Sequence, residues 1–293
     1  TTFYIGDDIC PLTPRTPVTI NVDVIPAVVV TPSGPTTFCA GGNVKLVTNT
    51  GSSYSYQWRK YGNLISGATD SAYTASGTGT YKVTATSIFG CSRNSGNTFV
   101  VVNPLPPANI TASGNSSFCV GDSVTLEANN ALGYSYQWKK YSNDVVGATG
   151  QQYVAKTAGQ FKVRITDSNG CSRNSNSILV SILASPPASI FAGGPLSFCD
   201  GDSVLLRANS GVGITYQWRK GSSYIASAIS DEYYAKTTGN YKVTVTGTNG
   251  CTKNSTYAVN NIGGPVIAVD SVVNVKCFGA STGGIYITVS GGA

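Results

Sequence analysis

A period of 80 residues dominates this chain of 293 residues. Two cysteine positions and one tryptophan position recur three times at that spacing: Cys39, Cys119 and Cys199; Trp58, Trp138 and Trp218; and Cys91, Cys171 and Cys251. A fixed period of this length indicates a row of equivalent folding units rather than one large core. We therefore predict three modules with parts of two others at the ends: residues 1–24, 25–104, 105–184, 185–264 and 265–293.

The pattern inside each copy is that of β-strands. "DSVTLEA" and "GQFKVRIT" in the second copy alternate polar and apolar residues, and the other copies have equivalent segments. Alternation with period two buries one face of a strand and leaves the other in water. Asn169-Gly170 and Asn249-Gly250 follow such strands, and Asn-Gly favours a hairpin turn with positive φ at both residues. No segment reads as a helix, so we predict an all-β fold.

The order of these segments matches the immunoglobulin-type sandwich. "DSVTLEA" corresponds to strand B, "YSYQWKK" to strand C with Trp138 in the core, and "GQFKVRIT" to strand F, which begins with the aromatic residue of a tyrosine corner. Trp58 and Trp218 are assigned to the cores of the other copies. Proline-rich linkers, "VVNPLPPA" and "SILASPPAS", favour semi-rigid spacing. The predicted architecture is tandem immunoglobulin-like β-sandwich modules in an elongated array.

The eight cysteines predict disulfide bonds and, with them, an oxidising extracellular location. The immunoglobulin inter-sheet disulfide is missing, because Ala128 and Val163 hold its positions in the second copy. Each copy instead has one cysteine before strand B and one after strand F. Cys10 and Cys277 are expected to pair outside this segment.

Two pairings of the other six cysteines are open. Bonds within each copy would join Cys39 to Cys91, Cys119 to Cys171 and Cys199 to Cys251. Bonds between neighbouring copies would join Cys39 to Cys171 and Cys119 to Cys251. Strands B and F run in the same direction, so the two cysteines of one copy belong at opposite ends of strands about 20 Å long. A disulfide needs Cα atoms about 4.4 to 6.8 Å apart, so strand direction favours the second pairing without closing the first.

The residue types that carry most enzyme chemistry are scarce. The chain has no histidine, which is the commonest general base and metal ligand. "GDS" at 121–123 and 201–203 lacks the G-x-S-x-G elbow and reads as a turn into strand B. No pair of acids is placed to converge across a cleft. We predict no catalytic, cofactor-binding or metal site, and no enzyme.

Charge and hydropathy exclude two kinds of partner. The net charge of +6 is spread thinly, and no run of Lys or Arg exceeds two residues, so no nucleic-acid partner is predicted. No apolar run approaches the roughly 20 residues that a membrane-spanning helix needs, so no membrane insertion is predicted for this segment. The absence of methionine leads us to expect a segment of a longer polypeptide.

A basic pair ends strand C in every copy: Arg59 and Lys60, Lys139 and Lys140, and Arg219 and Lys220. Tyrosines lie in or near the variable stretch that follows: Tyr61, Tyr141, Tyr153, Tyr224, Tyr233 and Tyr234. One interpretation is a strip that binds acidic polysaccharide, in which rings stack on sugars and cations meet carboxylates. The other, which we favour, is that the charges keep an exposed edge strand from pairing with other chains.

Residues 275–292, "VKCFGASTGGIYITVSGG", combine Cys-x-Gly, Gly-x-Ile and Gly-Gly. From Lys276 to Gly292 this segment resembles the opening of an SprB-type repeat of the large gliding-motility adhesins of Bacteroidota. The copies, with "FCxGxSVxL", "YQW" and "NGC", are similar to the immunoglobulin-like or PKD-like modules of the same proteins, and "CPLTPRTPVTINV" is similar to the end of a related module. The resemblance implies a cell-surface protein exported by type IX secretion. Asp-Ser-Ala and Asp-Ser-Val triplets resemble the O-glycosylation phrase of secreted Bacteroidota proteins, which implies modification of at least one of Ser71, Ser123, Ser203 and Ser271.

Ordered repetition without a recognisable site predicts a structural role. We expect a stalk or filament segment of a secreted cell-surface adhesin that acts in gliding motility or surface attachment. Its partners would be the neighbouring modules of the same chain, with surface polysaccharide or other cell-surface proteins as further candidates. Two other functions stay open: polysaccharide- or protein-binding modules, and accessory modules of a secreted hydrolase.

Overall fold

The computed structural model describes residues 2–5, 16–20, 25–49, 54–275, 278–279, 281 and 283–291. Every regular element among these residues is a β-strand. The described part therefore contains no helix long and apolar enough to cross a membrane. The all-β prediction is confirmed.

The strands are numbered in chain order. Residues 1–24 contribute β1 (Thr2–Ile5) and β2 (Thr16–Thr19). The first copy contributes β3 (Val30–Pro32), β4 (Thr37–Cys39), β5 (Val44–Thr48), β6 (Tyr54–Lys60), β7 (Asn63–Leu64), β8 (Ala72–Ala75), β9 (Gly79–Ser87), β10 (Ser92–Asn94) and β11 (Thr98–Asn103). The second contributes β12 (Ile110–Ala112), β13 (Ser117–Cys119), β14 (Val124–Ala128), β15 (Ser135–Lys140), β16 (Asn143–Asp144), β17 (Gln152–Ala155), β18 (Gly159–Thr166), β19 (Ser172–Asn174) and β20 (Ile178–Leu183). The third contributes β21 (Ile190–Ala192), β22 (Ser197–Phe198), β23 (Val204–Ala208), β24 (Thr215–Lys220), β25 (Ser223–Tyr224), β26 (Glu232–Ala235), β27 (Gly239–Thr246) and β28 (Thr252–Asn261), and β29 (Val266–Val273) and β30 (Gly284–Ser290) follow.

The chain forms two compact units. The first comprises Thr1–Thr111, Glu127–Tyr153 and Phe161–Ser177, and the second comprises Ala112–Leu126, Val154–Gln160 and Ile178–Ala293. The first copy therefore lies in the first unit and the third copy in the second. Each unit also takes part of the second copy.

Two sheets form the first copy. β3, β5 and β8 make an antiparallel sheet, and the other sheet has the order β4-β11-β9-β6-β7. β4 and β11 are parallel, whereas β11, β9, β6 and β7 pair antiparallel. This is the arrangement of an immunoglobulin-like sandwich, with β5, β6 and β9 at the positions of strands B, C and F.

Alternate residues of these strands build the core of the first copy. Leu46 and Ala75 from one sheet pack in one cluster with Trp58, Val83 and others from the second sheet. The burial of β9 alternates along its whole length, as the period-two pattern predicts. The core is therefore closed by apolar packing between the sheets, without the inter-sheet disulfide of antibody domains.

The third copy repeats this plan in the second unit. Its sheets have the orders β21-β23-β26 and β22-β28-β27-β24-β25, and β22 is parallel to β28. Leu206, Trp218, Tyr241 and Val243 belong to its core cluster. The long strand β28 takes the place of β10 and β11 in the first copy.

The second copy has the same succession of strands. In the first unit β15 pairs antiparallel with β16 and β18, which places Trp138 opposite Val163, and β18 pairs with β19. In the second unit β13 pairs parallel with β20. Trp138 and Val163 are fully buried. The prediction of immunoglobulin-like modules is thus confirmed by strand pairing and core position.

The prediction for the turn after strand F is wrong in one detail. Gly170 has φ +79°, but Asn169 is not among the non-glycine residues with positive φ. Three residues connect Asp167 and Cys171. Asp167 N–H donates to Cys171 O at 2.9 Å, and Gly170 N–H donates to Asp167 O at 3.0 Å. A three-residue hairpin loop needs the left-handed conformation only at its last residue, and the third copy has the same pattern.

Two hairpins flank the three copies. β1 pairs antiparallel with β2, and β29 pairs antiparallel with β30. Every residue of β29 is exposed. The described part of 265–293 is therefore a two-stranded ribbon with water on both faces.

Candidate functional site

The two cysteines of a copy lie at opposite ends of its sandwich. Cys39 is the last residue of β4 and stands opposite Asn103, the last residue of the parallel strand β11. Ala40 N–H donates to Asn103 O at 2.8 Å and holds this corner in place. Cys91 follows the turn after β9, which is antiparallel to β11. Cys39 therefore lies where the chain leaves the copy, and Cys91 lies where it enters.

Disulfides join cysteines of successive copies. Cys39 is bonded to Cys171, and Cys119 is bonded to Cys251. In both bonds the Cα atoms are 5.5 Å apart and the sequence separation is 132 residues. The structure therefore has the pairing between neighbours that strand direction favours, and each bond connects the exit end of one copy with the entry end of the next.

Within the second unit, the turn that carries Cys251 also contacts the linker before it. Asn249 Nδ2 donates to Ala184 O at 2.9 Å, and the Cys251 sulfur lies 3.9 Å from Leu183 O. Cys251 and its counterpart Cys171 are fully buried. The disulfide thus lies in a packed junction.

Two cysteines in the described part of the chain are unbonded. Cys91 and Cys199 are free thiols of intermediate exposure. Cys10 and Cys277 lie outside the described residues, so their expected pairing stays a prediction.

An asparagine after strand B fastens each linker to its copy, a contact that the sequence analysis missed. In the second copy Asn129 Oδ1 accepts from Asn109 N–H at 2.7 Å, and its Nδ2 donates to Pro107 O at 3.0 Å. Asn49 makes the same two contacts, with Val29 and Ala27. The 80-residue spacing of these asparagines was the signal that could have revealed them.

The third copy keeps half of this contact. Asn209 Oδ1 accepts from Ser189 N–H at 3.0 Å. Its Nδ2 is buried without a partner.

The "YQW" motif serves the sandwich itself. Trp58 Nε1 donates to Asp70 O at 2.9 Å, and Trp138 and Trp218 make the equivalent bond with the same length. Gln57 Nε2 donates to Ile65 O at 2.8 Å, and its counterparts do likewise. These polar groups bind the chain segment after strand C, and the three indoles are fully buried. The structure thus places the three tryptophans in the core.

The tyrosine corner is present in two copies. Tyr81 donates its hydroxyl to Gly77 O at 2.7 Å, and Tyr241 donates to Thr237 O at 3.0 Å. Phe161 stands at this position in the second copy. That copy therefore keeps the ring without the hydrogen bond.

Each of the six basic residues after the tryptophans has a partner within the chain. The second member of each pair is a lysine that lies over the aromatic ring at the start of strand F: Lys60 over Tyr81, Lys140 over Phe161 and Lys220 over Tyr241. The distance from Nζ to the ring centroid is 5.6 to 6.0 Å. The first members face outward: Arg59 donates to Thr84 Oγ1, Lys139 forms an ion pair with Asp144, and Arg219 stacks on Tyr224. The hydrogen bond from Lys139 lowers the pKa of the Asp144 carboxyl.

The two members of each pair therefore do not form one strip. The edge-strand interpretation is also wrong for strand C, because β6 lies between β9 and β7, and the two-residue strand β7 forms the edge. Tyr153 and Tyr233 are stacked on Trp138 and Trp218 at 5.6 and 5.7 Å. Those two tyrosines belong to the core and not to a ligand strip.

Outward cations do meet across strands C and F. Arg59 stands opposite Lys82, Lys139 opposite Lys162, and Arg219 opposite Lys242. In the first copy a shallow depression is lined by both members of the pair together with Arg93. Like charges directly opposite each other on a sheet are destabilising, and in the second copy the carboxylate of Asp144 offsets the charge of Lys139.

The remaining predicted residues lie at the surface or close to it. Ser123 and Ser203 are exposed in the turns before strand B, Ser271 is exposed in β29, and Ser71 is half-buried. No group of three or more His, Cys, Asp or Glu side chains in the described part of the chain could hold a metal ion.

No protein-family model matches the chain, and no curated protein matches it. Solved structures do: extracellular domains 3–5 of Drosophila OTK are 15% identical, with a TM-score of 0.30 over 80% of this chain and 97% of that one. An I-band fragment of titin is 11% identical, with a TM-score of 0.40 over 82% and 99%. The D1–D4 ectodomain fragment of ICAM-5 is 14% identical, with a TM-score of 0.39 over 80% and 76%. With TM-scores this low, the fold assignment rests on the strand order and registers of the chain itself.

Proposed function

We propose that this chain is a stalk or filament segment of an extracellular adhesin, composed of modules 25–104, 105–184 and 185–264. The observation that carries the proposal is the pair of disulfides between successive copies. A disulfide within a copy would stabilise a single domain, whereas a bond between copies restricts their relative movement. Such bonds also favour an oxidising location outside the cell.

The wider setting of the proposal comes from the resemblance at residues 276–292. Residues 265–293 would be part of an SprB-type repeat, and residues 1–24 part of a preceding immunoglobulin-like module. The parent protein would be a type IX-secreted surface protein of Bacteroidota that acts in gliding motility or attachment. Glycosylation at Ser71, Ser123, Ser203 and Ser271 would belong to the same setting.

Small-angle X-ray scattering of the oxidised chain tests the spacer role. A compact chain of this length has a radius of gyration of about 19 Å, whereas three sandwiches end to end, each about 30 Å long, give a larger value. We expect a radius well above the compact value, with a wider distribution of distances when all four bonded cysteines are replaced by serine. A compact radius that is unchanged by the replacements would contradict the proposal.

The outward cation pairs support a second candidate function, binding of acidic polysaccharide. Arg59 and Lys82 would hold carboxylates of a polyuronate such as alginate, and the attraction should weaken with salt. Lys82→Gln should reduce alginate binding, whereas Lys60→Gln, whose ammonium group lies over Tyr81, should leave it unchanged. Equal binding by the wild-type chain and both variants would remove this candidate.

A further inference from the structure

Each disulfide reaches a copy at the start of its last strand. In the third copy Cys251 directly precedes β28, whose residues Thr252–Asn261 run to the exit end. There Asn261 stands opposite Phe198 of the parallel strand β22. A tensile load that arrives through the disulfide can therefore follow a single strand through the copy. We propose that the disulfides carry tension past strands B to F, so that a copy that unfolds under load does not lengthen the stalk.

The load reaches Cys251 from the last strand of the copy before it. Cys119, at the end of β13, stands opposite Leu183, the final residue of β20, and the two strands are parallel. Val120 N–H donates to Leu183 O at 3.3 Å, and the Cys251 sulfur lies 3.9 Å from the same oxygen. The Cys119–Cys251 bond thus joins the end of β20 to the start of β28. The last strands of these successive copies are therefore connected in series.

The first strands of a copy provide a second path. In the first copy β4 is parallel to β11 and ends at Cys39, which is bonded to Cys171 of the next copy. A load applied at residue 25 can follow residues 25–39 to the exit end and cross to the second copy there. Residues 40–90, which include strands B, C and F, lie between the two cysteines of the copy and outside this path. Most of the sandwich is therefore bypassed.

Chain length sets how far a copy extends when it unfolds. Without the Cys119–Cys251 bond, unfolding of the third copy places about 80 residues under load, which reach about 280 Å when fully extended. With the bond, only residues 251–264 are loaded, and they reach about 45 Å. The folded sandwich already spans about 30 Å. Unfolding should therefore add about 250 Å in the first case and about 15 Å in the second.

The second copy is bonded through both of its cysteines, and either bond alone shortens its loaded segment. The bond to Cys39 leaves residues 171–184 under load, and the bond to Cys251 leaves residues 105–119. Each bond therefore protects two copies from extension. Removal of one bond exposes one copy, whereas removal of both exposes all three. If the bonds only stabilised individual copies, the number of copies that extend would not change.

The load path rests on the stalk function for its use, because a stalk that holds an attachment against shear is placed under tension. Its physical basis is the order in which the bonds connect the strands, and this order does not depend on where the chain is located. X-ray scattering tests the extended spacer, whereas force measurement tests the load path. A failure of one can thus be told from a failure of the other.

The test is single-molecule force extension of the full chain, held by a covalent peptide tag at each terminus. The parent chain has serine at the four cysteines outside the two bonds: Cys10, Cys91, Cys199 and Cys277. Three matched chains lack the first bond, the second bond or both, through serine at the cysteines concerned.

The number of long steps distinguishes the four chains. We expect three steps of about 250 Å from the chain without bonds and one from each chain with a single bond. The parent chain should show no step of this length. Residues 119–171 come under load there only when all three copies are open, in a single step of about 150 Å.

Two results would overturn the proposal. One is three long steps from the parent chain, which would mean that the bonds stabilise the copies without bypassing them. The other is two long steps from a chain with a single bond, since each bond would then protect only one copy. Dithiothreitol added to the folded parent chain removes both bonds without any further substitution. Three long steps are expected after this reduction, and steps that stay short would contradict the proposal.

Discussion

The aromatic residue at the start of strand F is a tyrosine in two copies and a phenylalanine in the other, so the copies differ by one hydroxyl group at this position. Tyr81 and Tyr241 donate to a backbone carbonyl four residues upstream, and the phenylalanine at this position in the second copy keeps only the packing. The hydroxyl of the tyrosine corner is therefore not required for the fold, because the ring alone fills the core. The asparagines after strand B are a second contact of this kind, since their side chains add to the backbone hydrogen bond that joins each linker to its copy.

We expect Tyr241→Phe to lower the free energy of unfolding of the third copy by about 0.5 to 1.5 kcal/mol, the net contribution of one hydrogen bond. Chemical denaturation monitored by tryptophan fluorescence measures this loss. The control is Tyr141→Phe, which removes an exposed hydroxyl and should change stability by less than about 0.5 kcal/mol. Equal losses in the two variants would show that the Tyr241 hydroxyl is energetically neutral.

Asn129→Ala removes both side-chain hydrogen bonds to the linker and keeps the backbone bond from Asn129 N–H to Asn109 O. We expect the amide of Asn109 to exchange its hydrogen faster in consequence. Amide exchange measured by NMR gives the rate at that residue. Asn143→Ala, at an exposed strand position, should leave the rate unchanged. An unaltered rate in the Asn129 variant would mean that the linker is held by other contacts.

At the scale of the element, the turn after strand F decides where an entry cysteine points. Gly250 has φ +79° and its N–H closes the turn onto Gly247 O at 3.0 Å. A residue with a Cβ atom is strained in this conformation. Gly250, which adopts this conformation without strain, lies directly before Cys251, so the turn couples backbone conformation to the disulfide.

Gly250→Ala should cost about 1 to 2 kcal/mol, the usual penalty for a left-handed residue with a Cβ atom. Gly194→Ala is the control, because a Cβ atom there meets nothing within 4 Å and its φ is not positive. Thermal unfolding of both variants measures the difference. If the two proteins unfold alike, the turn tolerates alanine and does not orient the cysteine.

Local sequence patterns predict most strands of this fold but not the short parallel ones. Strands B, C and F and their buried tryptophans follow from alternation with period two. β4, β13 and β22 have only two or three residues and pair with a strand more than 60 residues away. Such pairing leaves no local signal. These strands nevertheless place each exit cysteine beside the end of its copy, so sequence could favour the pairing between copies but not settle it.

The side chains of the basic pairs mark a second limit of prediction. Adjacent residues on a strand point to opposite faces, and this separates Lys60 from Arg59. The partner of Arg59 is Lys82, which lies on another strand. The tertiary fold sets the register between strands, so the cation pairs could not be predicted from the sequence alone.

At the scale of the molecule, two long-range disulfides act on more than one copy at once. Each closes a loop of 132 residues, and cross-linking distant residues restricts the unfolded chain more than cross-linking near ones. The bonds also tie the exit end of one copy to the entry end of the next. We therefore expect both the stability and the spacing of neighbouring copies to depend on these two bonds.

Replacing Cys119 and Cys251 together by serine should lower the free energy of unfolding by about 2 to 5 kcal/mol, the usual loss for a native disulfide. Guanidinium titration at constant protein concentration measures this loss. Cys91→Ser, at a free thiol, is the control and should change stability by less than about 0.5 kcal/mol. A double variant as stable as this control would mean that the bond contributes nothing to the fold.

The most direct test of the account is a tryptic map of the unreduced protein. The six cysteines of the copies lie on six different tryptic peptides, so each pairing gives a distinct linked product. We predict peptide 16–45 joined to 165–173 and peptide 94–139 joined to 243–253. Peptide 16–45 joined to 83–93, or 94–139 joined to 165–173, would place the bonds within single copies and contradict the covalent connection between modules.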